Sequence, residues 1–366
     1  RFAVFNFSSI SPNLSLSYLI MISLVDWAEK GRIPDGLVRL GIKRLLLKRL
    51  KQDAAQALEP GKSDFVEKMR RSPLALGASD ANHQHYEVPT EVFERMLGPH
   101  LKYSCAYYPS LDATLAEAES AMLALSCERA QLIDGQSILE LGCGWGSLTL
   151  YMAETFPSSQ ITAVSNSNSQ REHIERQAAA RGFDNIQVIT ADMNVFETPD
   201  LFDRVVSIEM FEHMRNYEQL FQRISSWLKA DGRLFFHIFC HRNLPYFFED
   251  DSKDDWMARH FFTGGLMPSF DLPQRFEGAL RQRSSWKVNG QHYARTCADW
   301  LSNLDTERRP ILAALAGSDN PESELILWQR WRMFVMACQE LFAHQGGETW
   351  FVGHYLFEQN APQSLD

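Results

Sequence analysis

Ile138-Leu139-Glu140-Leu141-Gly142-Cys143-Gly144-Trp145-Gly146 is the stretch that decides the fold. A short apolar run from Ser137 to Leu141 leads without a break into glycines at alternate positions, and a helical pattern from Leu148 to Thr155 follows. A strand turning sharply into a helix has this form, and glycine at the turn lets the backbone approach a ligand closely. The alternate spacing departs from the GxGxxG turn of dinucleotide sites, and no Lys-Ser/Thr pair follows that would make a P-loop. A dinucleotide site also wants an acid near the end of the second strand. Ser165-Asn166-Ser167 and then Gln170 stand there instead, and the acid of this region is Glu140, at the end of the first strand. The bland alternative is a tight turn with no ligand.

Outward from the loop, helix and strand alternate. Leu115 to Leu132 reads as helix, Gln160 to Ser165 as strand and Gln170 to Arg181 as helix stopped by Gly182. Ile186 to Thr190 and Phe202 to Ile208 are strands, Tyr217 to Lys229 a helix, Ala230-Asp231-Gly232 a turn, and Arg233 to Cys240 a fifth strand. This is a doubly wound, mostly parallel, Rossmann-like α/β sheet, whose ligand lies at the carboxyl ends of the strands. Residues 114–240 form its ligand-binding core, and 26–113 a helical region ahead of it. Residues 241–325, rich in aromatics, His and Asp, read as an inserted cap. Residues 326–366 supply a last helix, near Glu324 to Ala343, and a strand, Trp350 to Phe357. The aromatic face of that helix is core or a dimer contact, and an oligomer stays open.

The bulk numbers narrow the function classes. A net charge of −10 over 366 residues is a poor match to nucleic acid, where affinity comes from neutralising phosphates, and it suits a cationic ligand. The cysteines at 105, 127, 143, 240, 297 and 338 contain no CxxC pair, so no metal site is expected. They read as reduced thiols of a cytoplasmic protein. Residues 1–25 contain no acid and are serine-rich. They look like a short targeting segment, or like an extension upstream of a start at Met21, and are left out of the fold argument. Residues 36–58 form a basic amphipathic helix, either a solvated face on its own domain or a surface for anionic lipid. Glu59-Pro60-Gly61-Lys62-Ser63 reads as a linker.

Motifs spread along the chain carry a resemblance. They are His85-Tyr86-Glu87-Val88-Pro89, Tyr103-Ser104-Cys105-Ala106-Tyr107, the glycine loop and Ser207-Ile208-Glu209-Met210-Phe211-Glu212-His213-Met214. Phe261 to Gly265, Met267-Pro268-Ser269, Val288-Asn289-Gly290 with His292-Tyr293, and Glu348 to Val352 complete the set. Together they resemble the S-adenosylmethionine (SAM)-dependent methyltransferases of the cyclopropane fatty acid synthase superfamily, most of all the coclaurine N-methyltransferase group, over about residues 37 to 358. The resemblance implies the seven-stranded sheet of class I methyltransferases. It implies that Tyr103 and Ser104 contact the methionyl end of SAM, and that Glu140, Gly142 and Gly144 lie along it. Ser165, Asn166 and Gln170 would sit at the ribose, with Asp192 and Met193 flanking the adenine. Asp192 has a reason of its own, since an acid at a strand end can accept from the adenine amino group; its alternative is a turn-capping aspartate.

The acceptor side is less decided. Methyl transfer from a sulfonium needs the nucleophile held in line, and an amine nucleophile must also be unprotonated. Glu209, Glu212 and His213 end the fourth strand, the right address for that work, and in the resembling N-methyltransferases this run orients and deprotonates the amine. Scaffold hydrogen bonding is the alternative for each. Cyclopropane synthases instead hold a bicarbonate, and the resembling positions are Cys105, Glu212, His237 and Tyr293, with the backbone of Phe239. The cap, with Phe247-Phe248-Glu249-Asp250-Asp251 and Asp254-Asp255-Trp256, tilts the reading to a small cationic amine. A lipid acyl chain, and with it membrane contact, is the second reading. A non-catalytic SAM-binding protein is the third.

Overall fold

The computed structural model describes residues 24–52, 54–76, 88–249, 256–318 and 320–360. Helices α1 (Asp35–Gln52), α2 (Gly61–Arg71), α3 (Thr90–Met96) and α4 (Leu115–Ala130) precede strand β1 (Ser137–Leu141). Then α5 (Ser147–Thr155), β2 (Gln160–Ser165), α6 (Asn168–Arg181), β3 (Ile186–Thr190), β4 (Phe202–Ile208), α7 (Tyr217–Trp227) and β5 (Leu228–His241) alternate. A small hairpin, β6 (Tyr246–Phe247) and β7 (Leu266–Met267), brackets α8 (Trp256–His260). The chain continues through β8 (Leu280–Val288), α9 (Gly290–Thr306), α10 (Arg308–Ala316) and α11 (Glu324–Ala343) to β9 (Trp350–Gln359).

The main sheet has seven strands in the order β3-β2-β1-β4-β5-β9-β8. The strands β1 to β5 pair in parallel, and β9 lies antiparallel to both β5 and β8. Successive residues feed opposite faces. Ile138, Val206 and Phe235 pack with Leu123 of α4 and Met152 of α5, whereas Leu139, Val205 and Phe236 pack with Phe221 of α7 and Phe65 of α2. Helices cover both faces, so these strands read as continuous apolar runs in the sequence. Local signals set the helix ends. Thr114 and Glu117 form a reciprocal capping box on α4, Ser167 caps α6, and Gly182 ends α6 at φ +72°.

After β1 the chain winds one way, to β2 and β3, and after β4 the other way, to β5. The crevice therefore opens between the carboxyl ends of β1 and β4. Those two ends carry the glycine loop and the Glu209 to His213 run.

The structure departs from the sequence reading in three places and decides between two readings in a fourth. The Ala230-Asp231-Gly232 turn is an excursion inside one strand: from Phe202 to Arg204 the β4 chain advances two residues, while its β5 partners advance from Leu228 to Arg233. Residues 280–288, read from the sequence as part of the cap, form β8, the edge strand of the main sheet, held by β9. The expected linker at 59–63 is mostly the start of α2, where buried Lys62 pairs with Asp271 at 2.8 Å. The basic helix α1 rests on the body through Val38, Ile42, Leu46 and Leu50, and Arg39 donates to Glu340 and Gln339 of α11. Its Leu37, Leu40, Leu45 and Leu47 remain exposed. Trp331, Phe334 and Phe342 of α11 are buried in the core. The motif residues 85–87, the cap acids Asp250, Asp251, Asp254 and Asp255, and residues 1–23 lie outside the described residues. No helix among those described is long and apolar enough to cross a membrane.

Candidate active site

At the end of β1 the amides of Gly142 and Cys143 both donate to Val164 O of β2, at 2.9 and 3.0 Å, which turns the chain sharply over the sheet edge. Gly142 sits at φ +75°, and a Cβ there would lie 2.7 Å from Met210 Cβ, so only glycine fits. A Cβ on Gly144 would meet nothing within 4 Å, because that side of the loop faces open space. The loop forms one wall of a cavity also lined by Tyr103, Ser104, Glu140, Ser147, Gln170, Glu209 and His213. Phe239, Phe248, Phe262, Phe334 and Phe342 line the same cavity. Glu140 accepts from Thr149 Oγ1 at 2.5 Å, and burial pushes its carboxyl up to about 8.

Glu209 is held in a strained backbone state, at φ +50°, where β4 ends. Its amide donates to His237 O at 2.8 Å, and its carboxylate turns into a ring of donors. Cys105 N donates to Oε1 at 3.2 Å, His237 Nε2 lies 3.1 Å from the same atom, and Tyr293 OH donates to Oε2 at 2.7 Å. Lys102, fully buried, donates to Ser104 Oγ and to Cys105 O, and its charge favours the ionised form of Glu209. Glu212 is on the short turn Phe211–His213, three residues on. Its Oε1 accepts from Phe239 N at 2.7 Å, while its buried Oε2 has no hydrogen-bond partner. Burial raises both carboxyls, and the neighbouring charge of Glu209 drives Glu212 further up. Lys102 and three donors surround only Glu209, so Glu209 carries the negative charge of the pair and Glu212 keeps its proton. His213 stacks on Phe262, with centroids 5.2 Å apart.

This geometry joins a glycine-loop cleft to an acid–histidine cluster, and comparison with known proteins bears on both. Residues 77–350 match the family model described as mycolic acid cyclopropane synthetase. The chain belongs to this family. Within it, the (S)-coclaurine N-methyltransferase of Thalictrum flavum subsp. glaucum is 36% identical over 348 residues, covering 93% of this chain and 96% of that enzyme. A crystal structure of a coclaurine N-methyltransferase bound to N-methylheliamine and SAH superposes with a TM-score of 0.86 at 35% identity, over 93% of this chain and all of that one. The cyclopropane-fatty-acyl-phospholipid synthase of Escherichia coli (strain K12) is 31% identical, over 60% of this chain and 55% of its own length. The protein is a SAM-dependent methyltransferase of this family, nearer to the N-methyltransferases than to the lipid cyclopropane synthases.

The residues singled out from the sequence divide by position. Tyr103, Ser104, Glu140, Gly142, Gly144, Gln170, Glu209 and His213 line one cavity, and Tyr293 lines it too. Cys105, Glu212 and His237 stand behind its wall, fully buried. The side chain of Ser165 donates to Gln170 Oε1 at 2.6 Å, which ties the second strand to the start of α6. Asp192 Oδ1 accepts from the backbone and side chain of Asn194, so the turn-capping role is present, and Met193 is buried beside it. Asn166 follows β2 and is half-buried. In the cap, Glu249 faces Arg215 at 3.9 Å instead of the cavity, and Arg215 lies over the Phe247 ring. The sequence reading missed Lys102, whose only signal is a cation beside Tyr103-Ser104-Cys105, and missed Arg129 and His354, which reach the cluster from other elements.

Proposed function

We propose that this protein transfers a methyl group to the nitrogen of a small amine carried on an aromatic framework, with Glu209 and His213 as the acid–base groups in contact with the amine. The observation that carries this is the shared cavity: the carboxylate and the imidazole line the same space as the glycine loop and five phenylalanine rings. SAM fits the loop end. The loop offers a glycine surface open at Gly144, a buried Ser147 hydroxyl without a partner, and the acid of Glu140. Tyr103, Ser104, Glu140, Gly142, Gly144 and Gln170 would hold it, with Asn166, Asp192 and Met193 toward its outer end. When bound, SAM supplies a methyl carbon activated by its sulfonium.

The rest of the work belongs to the chain. An ammonium entering the cavity is attracted by the Glu209 carboxylate and the faces of Phe239 and Phe262. His213, whose ring is braced on Phe262, takes the nitrogen's proton and leaves the lone pair free. Glu209 orients the nitrogen and balances the charge that builds up on His213. Glu212, protonated and pinned by Phe239 N, shapes the turn that carries His213.

A bicarbonate does not fit this site. The Cys105 amide, His237 and Tyr293 already donate to Glu209, and Phe239 N donates to Glu212. Glu209 therefore stands as a resident carboxylate where the lipid enzymes' likeness would place a dissolved anion. The free thiols, five of them buried, support a cytoplasmic setting. The test is incubation with methyl-labelled SAM and, separately, a panel of secondary and tertiary aromatic-ring amines and vesicles of unsaturated phosphatidylglycerol. Label in the amines is expected. Label in lipid with none in any amine would overturn the reading.

A further inference from the structure

A chain of buried imidazoles runs away from Glu209 along one face of the sheet, across β5 and β9 toward the β8 edge. His237 of β5 and His354 of β9 are directly opposed across the strand pair. His354 Nε2 lies 3.0 Å from His237 Nδ1, and Arg129 Nη1 of α4 lies 2.9 Å from His354 Nδ1. Both rings are fully buried. Arg129 is half-buried, with its guanidinium over the Trp286 ring of β8 at 5.2 Å.

The direction of every hydrogen bond follows from the far end. A guanidinium only donates, so His354 Nδ1 accepts and carries no proton. The proton of a neutral His354 is then on Nε2, which donates to His237 Nδ1. His237 in turn carries its proton on Nε2, which donates to Glu209 Oε1. Neutrality of both rings is what burial favours, and the positive charges of Lys102 and Arg129 reinforce it. The charged groups facing this chain are Lys102, Arg129 and Glu209, and no other ring tautomers satisfy the three contacts. Arg129 cannot accept a proton, so the chain is no exit route. It is a one-way clamp that points an N–H at the carboxylate.

We propose that Arg129 and His354 are positioning residues of the active site: they lock the tautomer of His237 and so hold Glu209 as an ionised, oriented carboxylate. The catalytic consequence rests on the amine-methylating function proposed above, whereas the tautomer consequence does not. Two measurements separate them. Long-range nitrogen–proton NMR of ¹⁵N-histidine-labelled protein reads the tautomers with no substrate present. Both His237 and His354 are expected as Nε2–H in the native protein, and a ring found as Nδ1–H or doubly protonated overturns the proposal. In Arg129→Met, His354 is expected to lose its single tautomer, and an unchanged spectrum would equally overturn it. Kinetics follow for Arg129→Met, His354→Leu and His354→Gln. Loss of the clamp is expected to move the acid limb of kcat/KM up by about one pH unit, a tenfold loss below the limb. The affinity for S-adenosylhomocysteine should stay put, and His354→Gln, which can still donate to His237, should recover part of the rate. An unmoved acid limb in Arg129→Met, the variant least at risk of misfolding, would reduce both residues to scaffold. Native tautomers as expected in a protein that methylates no amine would retire the functional reading alone.

Discussion

Replacing Tyr293 by Phe removes one oxygen from the active site and almost nothing else. The ring remains stacked on Phe342, with centroids 4.2 Å apart, so no cavity opens. What is lost is the 2.7 Å bond to Glu209 Oε2, the shortest of the three bonds that carboxylate accepts. A buried hydrogen bond to an ionised group contributes about 1.5–3 kcal/mol. At 1.36 kcal/mol per unit, that raises the Glu209 pKa by about 1 to 2 units above a value already lifted by burial. The acid limb of kcat/KM should climb by the same interval, with activity returning on the alkaline side, while affinity for S-adenosylhomocysteine stays unchanged. Stability should follow the sign of the shift. A carboxyl raised in the folded state contributes stability at low pH that is lost as pH rises through the folded value. The variant should therefore match the native protein while Glu209 is protonated and fall behind it only once Glu209 ionises. Rate–pH profiles and urea unfolding at several pH values measure both. A loss of activity that is uniform in pH, with the acid limb in place, would refute the claim that Tyr293 acts through the charge of Glu209.

Three further outcomes are expected. Glu140 holds its proton up to about pH 8 in the folded protein, so in the native chain this group costs about 1.4 kcal/mol of stability per pH unit between its unfolded and folded values; Glu140→Gln should flatten that slope in urea melts at pH 6 and 8. Gly142→Ala places a Cβ 2.7 Å from Met210 at a left-handed φ and should cost about 2–5 kcal/mol in thermal or urea unfolding, with weaker S-adenosylhomocysteine binding by calorimetry. Turnover in buffer stripped of carbon dioxide should equal turnover with added bicarbonate, and a dependence on bicarbonate would remove Glu209 from the place assigned to it.

Much of the fold was legible because its signals are local. Apolar runs buried on both faces gave the five parallel strands, and Gly182 marked the end of α6, whose start two residues before Gln170 is set by the Ser167 cap. The illegible parts depend on distant partners. Nothing near Leu280 to Val288 says that β9 is waiting to pair with it, and the polar alternation there is that of an edge strand seen from one side. Ala230-Asp231-Gly232 has turn chemistry and does turn, but pairing resumes at Arg233 in line with the residues before it, which no local pattern encodes. Pro60-Gly61 looked like punctuation between elements and proved to be the entry to α2.

The site divides in the same way. Motifs that sit at strand ends, such as Gly142, Glu209 and His213, could be placed from topology alone, because the switch point of a doubly wound sheet gathers them. Rank among the acids could not. Glu209 and Glu212 are three residues apart with the same chemistry, and what separates them is the identity of their neighbours. Glu209 meets Lys102, Cys105 N, His237 and Tyr293, drawn from three other segments of the chain. Glu212 accepts from the Phe239 amide, and its other oxygen is buried with no hydrogen-bond partner. Two carboxyls that near each other cannot both ionise at low cost in a buried site, so the one with the donors holds the charge. That sorting also decides which acid can meet a cationic amine. The glutamate inside the Phe211-Glu212-His213 turn is read most readily from sequence, yet the charge in the cavity belongs to the strained residue three positions before it, clamped by groups arriving from α4, β5, α9 and β9.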